Sequence, residues 1–257
     1  MASLAERIAA DQIEKDCLGI YWLAQAGFVF KSSDGKVVYI DPYLTDLVER
    51  LVGFKRMMPS LISPQEVVAD IVICTHEHPD HLDVDAMEVL VRNPTTHFAG
   101  PSECVKKFNG LGVCLDRCHL LEEGKEIHIE AVGISGVYAD HGELAHDALG
   151  AVLDFGGIRV WHTGDTAYRI EKFKPAIEMH PDVLIPCING RFGNLNAEEA
   201  ALLIQKVNPR IAIASHFWMF VEHGGDPRAY LEYCARLAPG VRSLVMKPGE
   251  RLLFRKH

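Results

Sequence analysis

Residues 75–83 read Thr-His-Glu-His-Pro-Asp-His-Leu-Asp, and Ala69-Asp70-Ile71-Val72-Ile73-Cys74 stands directly before them. That preceding stretch is apolar and β-branched, the pattern of a buried strand. A strand that ends in a donor-rich loop constrains the fold, because it puts the loop at one edge of a sheet. His76, His78, Asp80 and His81 pack four nitrogen or oxygen metal donors into six positions. On an extended backbone His76, His78 and Asp80, at i, i+2 and i+4, point the same way. Imidazole and carboxylate suit zinc, manganese or iron rather than calcium. A lone surface histidine is ordinarily solvated and idle. Three with an aspartate in so short a loop make a metal site.

Three later segments repeat the arrangement of a strand followed by a polar residue. Ile134 to Ala139 leads into Asp140-His141-Gly142. Ile158-Arg159-Val160-Trp161-His162 leads into Thr163-Gly164-Asp165-Thr166, and Arg210-Ile211-Ala212-Ile213-Ala214-Ser215 ends at His216. Taken singly, His141 or His216 reads as a packing or surface histidine. As an ordered set, each just past a buried strand, they can converge on one sheet edge.

The motif H-x-H-x-D-H resembles the signature of the metallo-β-lactamase superfamily. Ile188-Asn189-Gly190-Arg191-Phe192-Gly193-Asn194-Leu195-Asn196, His216-Phe217-Trp218-Met219-Phe220 and Glu222-His223-Gly224-Gly225-Asp226-Pro227 resemble its L-ascorbate-6-phosphate lactonase branch. Trp22 to Phe28 and Asp41-Pro42-Tyr43-Leu44-Thr45-Asp46 fit the same branch. The likeness runs from about residue 18 to the C-terminus, in a chain shorter than the true lactonases. It implies an α+β fold, a four-layer αββα sandwich of the metallo-β-lactamase type, where periodicity alone gives only mixed α and β. It also implies two divalent metal ions, manganese or zinc with iron as a further candidate. His76, His78 and His141 then hold the first, Asp80, His81 and His216 the second, and Asp165 bridges them.

Two such ions about 3.5–4 Å apart share a hydroxide and polarise both the attacked group and the departing oxygen. The expected activity is therefore metal-dependent hydrolysis, by a metal-bound hydroxide, of a small anionic lactone or ester. A sugar-phosphate lactone such as L-ascorbate 6-phosphate is the named candidate. Asp80 doubles as general base, and His223 is the candidate for protonating a leaving group. Asn189, Arg191 and Asn194 are substrate-binding candidates, since a guanidinium among amides and glycines suits phosphate or carboxylate. Asp41 is either an Asp-Pro turn residue or a support for a ligand ring, and the resemblance favours the support. Lys55 and Arg56 read as a solvated charge pair rather than an anion clamp. Thr75 and Thr163 suit turns at least as well as ligand support.

Composition bounds the alternatives. At 257 residues the chain can bury a substantial core, and it is read as one hydrolase domain over 1–257. A formal charge of −9 opposes nucleic acid and anionic membranes as partners, leaving a small anionic substrate. A homo-oligomer is the expected assembly. No apolar stretch is long enough for a membrane span, and the first residues lack the pattern of a signal peptide. Seven cysteines without a C-x-x-C pair suit a reducing cytoplasm rather than a disulfide framework. A metal-dependent phosphodiesterase acting on small cyclic phosphodiesters is the alternative hydrolase. Flavin-linked di-iron chemistry is disfavoured because His78 stands where those proteins carry glutamate.

Helices are expected over 4–15, 83–91, 101–108, 168–179, 196–207 and 226–237. Strands are expected over 17–31, 36–40, 182–188, 210–214 and 241–246, with a strand-rich block from 117 to 162 broken at Gly124, Gly133, Gly142 and Gly156-Gly157. A turn at Asp34-Gly35 joins the first two strands, and 43–66 forms a long connection.

Overall fold

The computed structural model describes residues 2–256. The chain divides into two compact units, one made of the residues up to Leu120 with those from Lys247 onward, the other running from Leu121 to Met246. The expected single domain over 1–257 also takes in Met1 and His257, which lie outside the described residues.

The first unit begins with helix α1 (Leu4–Ala10), opened by a capping box in which Ser3 and Glu6 satisfy each other's backbone N–H groups. The helix stops five residues before the expected Lys15. There the Lys31 ammonium, itself buried, donates to the carbonyls of Ile8 and Ala9 and closes the helix end. Strands β1 (Cys17–Trp22), β2 (Phe28–Ser32) and β3 (Val37–Ile40) follow as an antiparallel meander. The expected single strand over 17–31 is thus two. Its break is a turn in which Ala24 and Gln25 adopt positive φ, closed by bonds between Leu23 and Gly27 and between Gly27 and Ala24. Both flanking strands are buried throughout, so the hydrophobic run gives no hint of the fold-back. The turn at Asp34-Gly35 stands as expected, with Gly35 at positive φ.

Helix α2 (Leu47–Val52) lies inside the long connection. Strands β4 (Ile71–Ile73), β5 (His97–Gly100) and β6 (Cys118–Leu120) then extend the sheet in parallel, alternating with α3 (Val84–Leu90) and α4 (Ser102–Gly110). Asp83 caps α3 by accepting from the Ala86 amide. Gly100 has a packing reason: a Cβ there would come within 2.8 Å of the Cys74 carbonyl. Tyr39, Val72, Phe98 and Phe108 centre the core of this unit.

The second unit carries β7 (Glu126–Ile129), β8 (Val132–Tyr138), β9 (Leu149–Asp154) and β10 (Arg159–His162), in which β7 to β10 run antiparallel in succession. Gly133 lies within β8 and breaks nothing, because the β7–β8 turn falls at Glu130, at positive φ. Next come α5 (Lys174–Glu178), β11 (Val183–Ile185), α6 (Ala197–Val207), β12 (Ile211–Ile213), α7 (Pro227–Leu237) and β13 (Arg242–Leu244). Helix α5 is much shorter than the expected 168–179, since Pro175 suits only a first helical turn. Strand β14 (Arg251–Arg255) returns to the first unit and pairs with β1.

Among the described residues each unit contains one seven-stranded sheet, ordered β14-β1-β2-β3-β4-β5-β6 and β13-β12-β11-β10-β9-β8-β7. In the first, β3 to β6 are parallel, so Asp41 after β3 and the Thr75–Asp83 loop after β4 share one edge. In the second, β10 to β13 are parallel, and β8 runs the same way because β9 opposes both β8 and β10. The ends of β8, β10, β11 and β12 therefore share an edge, where open sheets of this kind hold ligands.

Candidate metal centre

In the first unit the donors are fixed from behind. Asp41 is fully buried at positive φ and hangs from the Ile73 carbonyl through its own N–H. Its carboxylate accepts from the Thr75 amide and the Thr75 hydroxyl, both at 2.8 Å, and lies 2.8 Å from His81 Nδ1. A carboxylate on Nδ1 holds the proton there and leaves Nε2 as the donor atom. That Nε2 lies 3.6 Å from Asp80 Oδ2. The Thr75 hydroxyl also lies 3.1 Å from His76 Nδ1, and His76 Nε2 is 2.9 Å from His78 Nδ1. Thr75 and Asp41 thus orient the rings of both His76 and His81.

The i, i+2, i+4 spacing would align His76, His78 and Asp80 on an extended backbone, but the loop is not extended. The loop turns, with His81 and Leu82 both donating to the His78 carbonyl. Curling brings His81 in with the other donors, which an extended loop would place on the opposite face. Glu77 lends its backbone carbonyl to Lys107 Nζ at 2.9 Å.

Gln25 is a supporting residue that the sequence does not announce. Its side chain is buried and Nε2 donates to Asp80 Oδ2 at 2.7 Å. The residue reaches there from the β1–β2 turn, anchored by Trp22 Nε1 donating to its carbonyl. The one signal in the sequence is a polar residue inside an apolar run.

In the second unit Asp165, just past β10, is buried with each oxygen committed to a different side. Oδ1 lies 3.1 Å from His216 Nε2, and Oδ2 lies 3.8 Å from His141 Nε2. Asn194 Nδ2 donates to Oδ2 at 2.6 Å. Asn194, expected to touch substrate, therefore spends its amide N–H on fixing this carboxylate. His216 sits at positive φ, and its ring stacks on His223 at 4.9 Å with an 11° interplanar angle. Phe220 packs edge-on against the same His223 ring, 4.7 Å away. Thr163 has a turn role, accepting from the Cys187 amide and donating to the Gly164 carbonyl. Burial, then the nearby Asp165 carboxylate, push the Cys187 thiol up to about 12, so it stays protonated and inert.

Asn189 and Arg191 line an open cavity of about 460 Å³ with Asn196, Asp226 and Tyr233. The first amides of α6 and α7 at that cavity are already taken, by the Asn196 and Asp226 side chains. The Arg191 guanidinium lines the same cavity. Lys55 is exposed, but Arg56 is not the solvated cation expected. Its guanidinium donates to the carbonyls of Thr45 and Met58 and stacks 4.5 Å over the Tyr43 ring. Burial holds its pKa down. It pins the long connection rather than an anion.

Buried imidazoles and carboxylates held by their non-donor atoms are a donor set that fits zinc, manganese or iron. The sequence from residue 19 to residue 216 matches the model of the beta-lactamase superfamily domain. The chain belongs to that family, the metallo-β-lactamase superfamily. It is 29% identical over 240 residues to a UPF0173 metal-dependent hydrolase of Methanopyrus kandleri, covering 90% of this chain and 97% of that protein. It is 23% identical to the probable L-ascorbate-6-phosphate lactonase UlaG of Salmonella heidelberg, over 88% of this chain and 76% of the lactonase. Among solved structures, Igni18, a metallo hydrolase of Ignicoccus hospitalis, superposes with a TM-score of 0.74 at 23% identity, covering 93% and 99% of the two chains. The α+β metallo-β-lactamase fold and a metal-dependent hydrolase class follow. Among the described residues no helix is long and apolar enough to cross a membrane.

Proposed function

We propose that this protein hydrolyses a small anionic lactone or ester with two divalent metal ions, manganese or zinc in preference to iron. The observation that carries the reading is Asp165, whose two oxygens face two different histidines, His216 and His141. A carboxylate so placed is suited to span two cations. The proposed ligands are His76, His78, Asp80, His81, His141, Asp165 and His216. Cations held there would acidify a water and polarise the bond it attacks.

The remaining roles belong to the chain itself. Asp80, oriented by Gln25, accepts the proton of the attacking water, because one of its oxygens is already fixed by an N–H donor. His223, clamped between His216 and Phe220, donates a proton to the departing oxygen. Arg191 and Asn189 bind an anionic group away from the bond that breaks. The likeness to a probable lactonase supports a lactone, and a sugar-phosphate lactone is the first candidate. Seven free cysteines support a reducing, cytoplasmic setting.

The test is anaerobic purification, metal analysis, and assay with each of manganese, zinc and iron. Sugar-phosphate lactones and cyclic phosphodiesters are the substrates. Metal-dependent opening of a phosphorylated lactone is the expected result. Turnover of the phosphodiesters alone would replace the lactone with a phosphodiester.

A further inference from the structure

The second unit exposes large apolar side chains beside His223. Phe192 is 46% exposed, Trp218 51% and Val221 74%. Scattered apolar groups on a surface are ordinary, whereas several on adjoining loops mark a binding surface. These loops adjoin. A Cβ at Gly225 would stand 3.5 Å from the Asn189 Cα, and one at Gly224 would stand 3.6 Å from Arg191 Cγ. Phe192 meets the His223 ring edge-on at 5.5 Å.

Nor is the exposure that of a loose loop. Trp218 is at positive φ, its amide donates to the Gly224 carbonyl, and its indole Nε1 donates to the Gly225 carbonyl at 2.9 Å. The His223 amide donates back to the Phe220 carbonyl. The segment closes on itself, with Phe217, Met219 and Phe220 turned inward and buried while Trp218 and Val221 face out. The indole is thereby held half in water by its own hydrogen bond.

We propose that Phe192, Trp218 and Val221 form a wall that receives an alkyl or aryl group of the substrate. This rests on the hydrolase reading above and narrows it. The preferred substrate is then amphipathic, with a hydrophobic substituent beside the group that His223 protonates. The sugar-phosphate lactone named above would leave the wall in water, so a lactone or ester that carries an alkyl or aryl group displaces it as the preferred substrate. The Phe192–His223 contact sets the wall directly beside the proposed proton donor, which makes a substrate group the occupant of choice over a second protein chain.

The experiment uses the full chain loaded with metal and a series of γ-lactones whose linear side chains lengthen from methyl to heptyl. Burial of each methylene against the wall should raise kcat/KM about two- to fourfold. Val221→Ser and Trp218→Ala should flatten that dependence, lowering the long-chain values most. Binding is read separately from turnover. The chain has three tryptophans, and Trp22 and Trp161 are buried, so the ligand-dependent part of the emission that Trp218→Phe removes reports Trp218. Linear alkyl carboxylates should shift it to the blue with an affinity that rises with chain length. If carboxylates bind in this way but no lactone opens, the lactone reading fails and the apolar wall stands. If kcat/KM and affinity are independent of chain length, the wall is not a substrate site. It is equally not one if the two substitutions change only the size of the particle in sedimentation, since the face is then a contact between copies.

Discussion

In the first unit, four donors lie within six residues of one loop, and the effort of the fold goes into holding them still. Asp41, Thr75 and Gln25 come from the ends of three different strands to grip His81, His76 and Asp80. The second unit inverts this. His141, Asp165 and His216 are far apart in sequence, each follows its own strand, and topology alone brings them together. Here Asn194 donates to Asp165 and a ring stacks on His216, both from loops of the same unit. The loop of the first unit is thus a dense site braced by distant residues. The second is a dispersed site braced by the parallel order of the sheet.

If that contrast is right, substitutions behind the first unit's loop act on chemistry through orientation, and the effects should grade accordingly. The largest effect belongs to Asp80→Asn, which keeps the shape and a contact for Gln25 but removes the proton acceptor. It should lower kcat by roughly 10²-fold or more. Near-normal kcat with metal still bound would remove Asp80 from the mechanism.

Asp41→Asn touches no proposed metal ligand's donor atom. It should weaken metal affinity about ten- to a hundredfold by releasing the His81 ring. Competition against a chelator measures this, and an unchanged affinity would mean that the loop needs no brace. Arg191→Ala should raise KM about ten- to a hundredfold for a phosphorylated lactone, from a charge-assisted contact of about 1.5–3 kcal/mol, while sparing its neutral analogue. Equal losses on both would show that Arg191 only shapes its loop.

The smallest effect concerns a histidine outside either donor group. His119 on the edge strand β6 lies 3.0 Å from His97, and burial, then His97, lower its pKa. A depressed histidine favours the neutral form in the fold, while the unfolded chain takes up its proton near pH 6.5. The group is therefore neutral in both states above that value, and it costs stability as the pH falls below it. His119→Asn should flatten the fall of Tm between pH 7 and pH 5, and an unchanged slope would assign acid sensitivity to other groups.

The same contrast explains what could be read from the sequence. The loop after Cys74 was legible because its donors are contiguous, and the strand–donor pattern extended the reading to His141, Asp165 and His216. Asp41 was only half legible, since an Asp-Pro pair is also an ordinary turn. Gln25 gave only its polarity as a signal: its role depends on a fold-back inside an otherwise apolar run, and Ala24 and Gln25 carry none of the usual marks of positive φ. Strands β5 and β14 were hidden as well, β14 being an edge strand that pairs with the remote β1. The contact of Asn194 with Asp165 was not legible either, because its loop neighbours are Arg191 and Gly193 and only the fold brings Asp165 to its amide. Arg56 misled for a related reason. A basic residue in a polar connection looks solvated until Tyr43 and the Thr45 carbonyl are seen to cover it.

Everything proposed for the chemistry turns on one carboxylate serving two cations, and metal content is where that shows. Asp165→Ala, His141→Ala and His216→Ala would be purified anaerobically beside the unaltered protein, checked for folding by circular dichroism, and analysed for bound metal. The expected outcome is two ions in the unaltered chain, weakened retention of both in Asp165→Ala, and preferential loss of one ion in each histidine variant. A folded Asp165→Ala protein that keeps two tightly held ions would show that Asp165 does not bridge.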